Sequence, residues 1–322
     1  MPRFSYGGQA LIEGVLMRGR DAIAVAMRHP DGTIVWQTEP LDSVLHRNRF
    51  ARTPFFRGLV VLYETLVIGT RWLMRSGSVA AAAEGVEMGR GAIAMTLGLT
   101  IAFAVGLFVL LPLFLAQLTA GVTIGSAQPF LQHVIEGLIR VGIFVIYLGL
   151  VSQAPDIRRV FQYHGAEHQT IHALEHEEQL IPARVRAYPT AHPRCGTEFL
   201  VVFVIVSIFV FSLLAGQQLF VSILGRLALI PVIASVSYEV LRFGARHRSN
   251  PVLRWLFEPG IWLQRITTRQ PDDGMVEVAI AALQEALRVN GEEAPQGSLD
   301  PVRRPLAQVE AAVAPVIAPP ER

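Results

Sequence analysis

The sequence predicts a mainly α, polytopic membrane protein with four transmembrane helices, a small N-terminal β-hairpin region and a cytoplasmic loop bearing histidines and a cysteine. Three observations predict it. Only 17% of the 322 residues are charged, and mean hydropathy is +0.41; a soluble domain carries about 25% charge. The shortage is local, since residues 91–135 and 199–225 contain no Asp, Glu, Lys or Arg. Each run exceeds the ~20 apolar residues that cross a bilayer, too long for buried helices of a soluble protein. Lastly, arginines cluster on alternate connections, the pattern of a chain threading a membrane.

In chain order, residues 1–90 form an N-terminal cytoplasmic region, opening on the Gly-rich GGQALIEGVLMRG of residues 7–19. A hairpin follows: Ile23–Met27, a Pro-Asp-Gly turn at residues 30–32, then Thr33–Trp36, with Pro and Gly supplying the turn angles. Residues 55–75 are apolar but interrupted by Arg57, Glu64, Arg71 and Arg75, which predicts a helix on the membrane or against the spans, not a fifth crossing. Residues 76–89, rich in Ala and Gly, read as a linker or a loosely packed helix.

The membrane domain spans residues 91–243. Its first span, Ile93–Leu118, contains Pro112, tolerable if neighbours satisfy the freed carbonyl. The second, Val134–Gln153, carries Glu136 and Arg140 at a spacing that lets them neutralise each other. The third is Phe199–Gly225, and the fourth, Arg226–Phe243, ends on Tyr238, Glu239 and Arg242. Seven arginines precede the first span within residues 47–90, none lies in 119–133, and five lie in 154–198. The third connection holds Arg226 at most, and Arg246, Arg248 and Arg254 follow the last span. Both termini and the 154–198 loop therefore face the cytoplasm of a cell-membrane protein.

Residues 244–289 form a C-terminal cytoplasmic helical region. Pro271-Asp272-Asp273 is a helix start, followed by Val276, Ile280, Leu283 and Leu287 on one face. Residues 290–322 hold six of the 20 prolines, predicting a disordered Pro/Ala-rich tail.

All 28 basic residues are Arg, against 26 acids. A net charge of +2 makes no case for nucleic acid, so the lipid bilayer is the expected partner. The single cysteine, Cys195, excludes an intramolecular disulfide and points to a reducing compartment or a metal site.

Five of nine histidines fall between His164 and His192, in the strings YHGAEHQTIHALEHEE (163–178) and AHPRCGTEF (191–199). On a helix His168 lies about 40° from His164, and Glu167 about 60° to the other side. That pair can chelate one ion with a carboxylate beside it. His172 and His176 drift further round, so the four cannot all serve one metal. His-x-x-Glu-His is the reversed zincin arrangement, in which two histidines bind zinc and Glu is the general base. His192 and Cys195, separated by two residues, complete a His164, His168, His192, Cys195 set suited to a divalent metal, zinc by donor type. Four protein ligands would make a closed structural site, three an open catalytic one. The rival reading is a solvated Glu/His helix face and a free thiol. Glu239 is placed to approach this loop, with a pair to Arg242 as the alternative. Glu13, Arg18 and Arg57 sit beside glycines that suit close backbone approach to a ligand, or simply a structural turn. No Gly-x-Ser-x-Gly elbow supports serine catalysis.

Together, GGQALIEGVLMRG (7–19), PFFRG (54–58), YHGAEH (163–168), HPRCGTEF (192–199), SYE (237–239) and LQRITTRQPDD (263–273) resemble the YqhQ-like bacterial membrane proteins. The resemblance covers residues 5 to 288. It implies a domain of unknown function with the suspicion of a metal-dependent enzyme, which falls on His164, Glu167, His168, His192 and Cys195. The leading expectation is a metal-dependent hydrolase acting on a peptide or lipid-linked substrate at the cytoplasmic membrane face. Its rivals are a scaffold whose metal closes a loop and, more weakly, a metal transporter, which would need polar ligands at mid-depth in its spans.

Overall fold

The computed structural model describes residues 4, 6–41, 48–81, 90–123, 129–193, 195–212, 219–247 and 250–313. It is mainly helical with an N-terminal sheet, as the sequence predicts, but the sheet is larger than a hairpin. Strands β1 (Gly7–Leu11), β2 (Gly14–Arg18), β3 (Ala22–Arg28) and β4 (Ile34–Pro40) form an antiparallel meander, and β5 (Arg303–Pro305) adds parallel to β4. The expected hairpin is β3–β4, with Gly32 at φ +85° in its turn, a conformation glycine adopts without steric cost. The Gly-rich opening is itself a second hairpin, turning at Ile12-Glu13 with Glu13 at φ +54°.

Alternation assigns the two faces of this sheet. Val15, Met17, Ala24 and Ala26 pack on α5 (Pro155–Glu175) and α10 (Asp273–Val289), whereas Leu16, Ile23, Val25 and Met27 pack with Trp72 and Leu306. Trp72 belongs to α1 (Phe56–Ala81) and Leu306 to α11 (Leu306–Val313). Because both faces are covered, β3 is buried from Ala22 to Met27 and reads as one apolar run. The predicted face of α10 is buried at Val276, Ile280, Leu283 and Leu287, and Asp272 caps the helix by accepting from Met275 N at 2.8 Å.

Residues 303–313, assigned by composition to a disordered tail, are instead the ordered β5 and α11. Pro/Ala content reports a shortage of core side chains but not backbone pairing. Here Arg303 binds Glu285 (2.8 Å), and Leu306 is buried among Leu11, Val25 and Val35. Residues 314–322 of that expected tail lie outside the described residues.

Helix α1 covers the expected membrane-lying segment and runs on to Ala81, past the start of the expected linker, whose residues 82–89 lie outside the described residues. It buries Trp72 and Val79 against the sheet, packs on α8 (Leu219–Arg246), and leaves Tyr63, Leu66 and Val67 exposed.

Among the described residues, three helical stretches are long and apolar enough to cross a membrane: Met95–Ala116, Val134–Val151 and Phe220–Gly244. The first joins α2 (Arg90–Val105) and α3 (Leu111–Thr123) through a π-helical turn at Gly106–Leu110; the second lies in α4 (Pro129–Val151) and the last in α8. Their outer faces are apolar and bare, with Met95, Leu99 and Phe220 more than 70% exposed. The expected third span appears as α7 (Thr197–Ser212), apolar but only 16 residues long as described; residues 213–218 lie outside the described residues. The expected boundary at Arg226 is corrected: Arg226 lies inside α8, 2% exposed, with Glu136 as its partner. A buried, neutralised charge does not end a helix as a solvated one would.

Glu136 and Arg140 pair as their spacing predicts (2.6 Å), and Arg226 donates to both Glu136 oxygens. Arg140 also donates to Ser207 Oγ (3.0 Å) and, through Nε, to the Phe108 carbonyl (3.0 Å). Phe108 is four residues before Pro112, which has no N–H to return to it, so a neighbour satisfies the freed carbonyl. The Phe211 ring lies under both guanidiniums.

Candidate metal centre

The histidine-bearing segment of the expected loop is a helix. Pro155 opens α5 after the extended Ala154, with Asp156 in its first turn, and the one-turn α6 (Pro182–Val185) follows it. Its position is fixed by Gly165, where an added Cβ would lie 2.1 Å from the Arg269 carbonyl, and by Arg269 N–H donating to Phe161 O at 2.9 Å. The chain just beyond α9 (Pro251–Thr267) is thereby laid along the histidine helix.

His164, His168 and Cys195 converge, each offering a ligand atom within 4.8 Å of the others. His164 Nε2 is 3.3 Å from Cys195 Sγ, and the two imidazole centroids are 4.4 Å apart. Both rings are held through Nδ1: His164 contacts the Thr267 carbonyl at 2.8 Å, and His168 the Thr190 carbonyl at 2.6 Å. A backbone carbonyl on one ring nitrogen fixes the tautomer and turns the other nitrogen toward a metal, the usual second layer around histidine ligands. Cys195 sits in a tight turn, its N–H donating to His192 O and its carbonyl accepting from Glu198 N–H, just before α7.

Glu167 is buried between these histidines and the sheet, and Gly8 N–H donates to it. An added Cβ on Gly8 would lie 3.1 Å from Glu167 Oε1, so glycine admits the carboxylate. Its Oε2 has no hydrogen-bond partner among the described residues. Burial pushes this carboxyl up to about 8, opposed by His164 and Gly8 N–H and reinforced by Cys195. Burial also holds His168 well below its ordinary range, helped by the neighbouring imidazoles, and so keeps it in the neutral, ligating form. The Cys195 thiol is pushed up by burial.

A divalent cation fits this donor set. Two oriented imidazoles and a sulfur are ligand types for zinc, and an orphaned buried carboxylate oxygen is costly unless a cation or water answers it.

His192 does not join this trio. It faces Glu175 Oε2 at 3.4 Å and the His172 ring at a 4.4 Å centroid distance, which makes a second group of His172, Glu175 and His192. The expected four-ligand set is corrected to three plus a neighbour. Gln264 imposes the difference by clamping His192 at both ends: its Oε1 accepts from His192 N–H (2.8 Å), and its Nε2 donates to His192 O (3.0 Å).

Glu239 is also displaced from expectation. It pairs with Arg57 (Nε–Oε1 2.7 Å) and accepts from Phe55 N–H, tying PFFRG to the end of α8 in preference to Arg242. Glu13 binds Arg159 through both oxygens (2.5 and 2.6 Å) and accepts from Tyr163 OH (3.2 Å), fastening the β1–β2 turn to α5 one residue from His164. Arg18 pairs with Glu64 of α1.

A cleft of about 470 Å³ between β1 and α1 opens beside this centre. It reaches Gly8, against Glu167, and Gly196, next to Cys195; Leu16, Ile23 and Val61 give it apolar walls and Arg18 a cation. Sequence reasoning missed Glu175, Gln264 and the Thr190 and Thr267 carbonyls, and set His172 aside. The carbonyls carry no side-chain signal, but Glu175, three residues after His172, was available.

Residues 53–289 match the family described as a protein of unknown function, DUF1385, and the chain belongs to that family. It is 35% identical over 299 residues to the uncharacterized protein YqhQ of Bacillus subtilis (strain 168), covering 88% of this chain and 93% of that one. No solved structure matches.

Proposed function

From membership of that family, which carries no assigned reaction, we propose that this protein is a metal-dependent hydrolase at the inner face of the cell membrane, acting on peptide or lipid-linked substrates. The observation that carries the reading is the open trio of His164, His168 and Cys195 beside a buried carboxylate with one unmet oxygen. Three protein ligands leave a position for chemistry, where four would close it. A divalent ion held there would supply Lewis acidity toward a carbonyl or phosphoryl oxygen and acidify water. Glu167 is the general base: Gly8 N–H holds it, a cation bound beside it would draw its raised carboxyl down into the ionised form, and Oε2 would then take the proton. The β1–α1 cleft admits the substrate, its apolar walls taking an acyl or side-chain portion and Arg18 an anionic one.

The membrane arrangement belongs to the same proposal. Four crossings, with α7 as the third, bring the end of α4, the start of α7 and the end of α8 to one face, which the arginine distribution makes cytoplasmic. Both termini then lie on that side with the metal centre.

A second reading, a scaffold with a structural metal, draws support from how many segments meet here: Gly8, Thr190, Thr267 and Gln264 all lock on to the ligand-bearing elements. Glu167→Gln separates the two. Hydrolysis of ester- and amide-linked amphiphiles in detergent, lost in Glu167→Gln while metal is retained, is the expected result. Unchanged hydrolysis, or none in the metal-loaded wild type, overturns the enzymatic reading.

A further inference from the structure

The row of imidazoles continues past the first trio. His168 and His192 have ring centroids 5.7 Å apart, and His192 and His172 are 4.4 Å apart. His172, Glu175 and His192 likewise offer ligand atoms within 4.8 Å of one another, and the two groups share no residue. His172 and Glu175 stand three apart on α5, hence on one face, and residues 191–193 bring His192 opposite them.

This second group is built in advance of any ligand. Gln264, fully buried, fixes the His192 backbone at both N–H and carbonyl, and His192 is itself 2% exposed. The His172 ring stacks on Tyr188 with an interplanar angle of 8°, and its Nε2 contacts the Ala191 carbonyl at 3.0 Å. Glu175 is the exposed member, on the solvent side.

We propose that His172, Glu175 and His192 form a second divalent-metal site beside the first. Two imidazoles and a carboxylate make a harder donor set than two imidazoles and a thiolate, and they suit zinc, manganese or iron(II). The second ion sits nearer solvent and exchanges faster than the one on Cys195. This site goes beyond the hydrolase reading and holds whether or not the first site is catalytic.

Metal content decides it. Full-length protein in detergent is equilibrated with zinc, freed of excess, and its zinc counted per chain by mass spectrometry. Wild type should hold two equivalents. Glu175→Gln and His172→Asn should each hold one, and Cys195→Ala also one. Glu175 is exposed and its replacement isosteric, so Glu175→Gln keeps the fold, checked by an unchanged melting profile of the metal-free protein. A wild type with one equivalent that Glu175→Gln retains overturns the second site and leaves the first standing. One equivalent that Glu175→Gln loses and Cys195→Ala keeps supports the second site and overturns the first. Two equivalents surviving in both Glu175→Gln and His172→Asn, or none in wild type, also overturn the proposal.

Discussion

Two of the buried clusters of ionisable side chains among the described residues are built to opposite specifications. In the membrane helices, Glu136, Arg140 and Arg226 form a closed set. Both carboxylate oxygens are bound, and the guanidiniums also reach Ser207, Ser222 and the Phe108 carbonyl. Beside the sheet, His164, Glu167, His168 and Cys195 form an open one, with ring nitrogens and sulfur turned toward a common point and Glu167 Oε2 unmet. Satisfied charges hold helices together; oriented, unsatisfied donors await a ligand. Burial alone therefore does not mark a functional site, whereas an incomplete inventory of partners does.

Breaking the closed cluster should have the largest effect. Glu136→Ala leaves two guanidiniums without their carboxylate and should destabilise the protein by about 3–5 kcal/mol, the cost of removing one partner from a buried ion pair. Denaturation in detergent measures it. Replacing Glu136, Arg140 and Arg226 together by leucine should recover most of that loss without altering metal content, because a fully apolar replacement leaves no orphan charge.

Glu167→Gln should behave in the opposite way. Stability and metal content should stay near wild type while hydrolysis falls by about 10²–10⁴-fold, the range for loss of a general base. Gly8→Ala lies between the two. An added Cβ would lie 2.1 Å from Leu16 O and 3.1 Å from Glu167 Oε1, so β1 must shift, at a cost of about 1–3 kcal/mol as for other overpacked sites. The shift should weaken metal binding as well, read by competition with a chelator.

The smallest effect is expected at the Glu13–Arg159 clip. Arg159 holds the Glu13 carboxyl below its ordinary value of 4.5. A depressed folded-state value contributes stability that is present above 4.5 and lost as pH falls through the lowered value. Wild type should thus lose slightly more stability than Glu13→Gln between neutral pH and strongly acidic pH in melting experiments. A parallel pH profile for the two would show that the clip contributes nothing.

Much of this contrast was legible in the sequence, and the rest was hidden for physical reasons. The spacing of Glu136 and Arg140 announced their pair, but Arg226 looked like a loop residue because a charge inside a span is visible only through its partner. His164, Glu167 and His168 follow from helical spacing, and Cys195 from its proximity to His192. That His192 turns to the other group depends on Gln264, 72 residues away, and on hydrogen bonds that spacing does not encode. The β3–β4 hairpin showed in its turn. The β1–β2 hairpin did not, since its tight turn uses Glu13 in the left-handed region, where glycine is expected. Strand β5 pairs through backbone atoms, to which Pro/Ala composition is blind.

The central claim is that Cys195 and its two histidines hold a metal. Because the chain has a single cysteine, any thiolate–metal absorption must come from it. Cobalt(II)-loaded wild type should show a thiolate-to-metal charge-transfer band that is lost in both His164→Ala and Cys195→Ser. No such band in the cobalt-loaded wild type, or one that survives Cys195→Ser, would contradict the account.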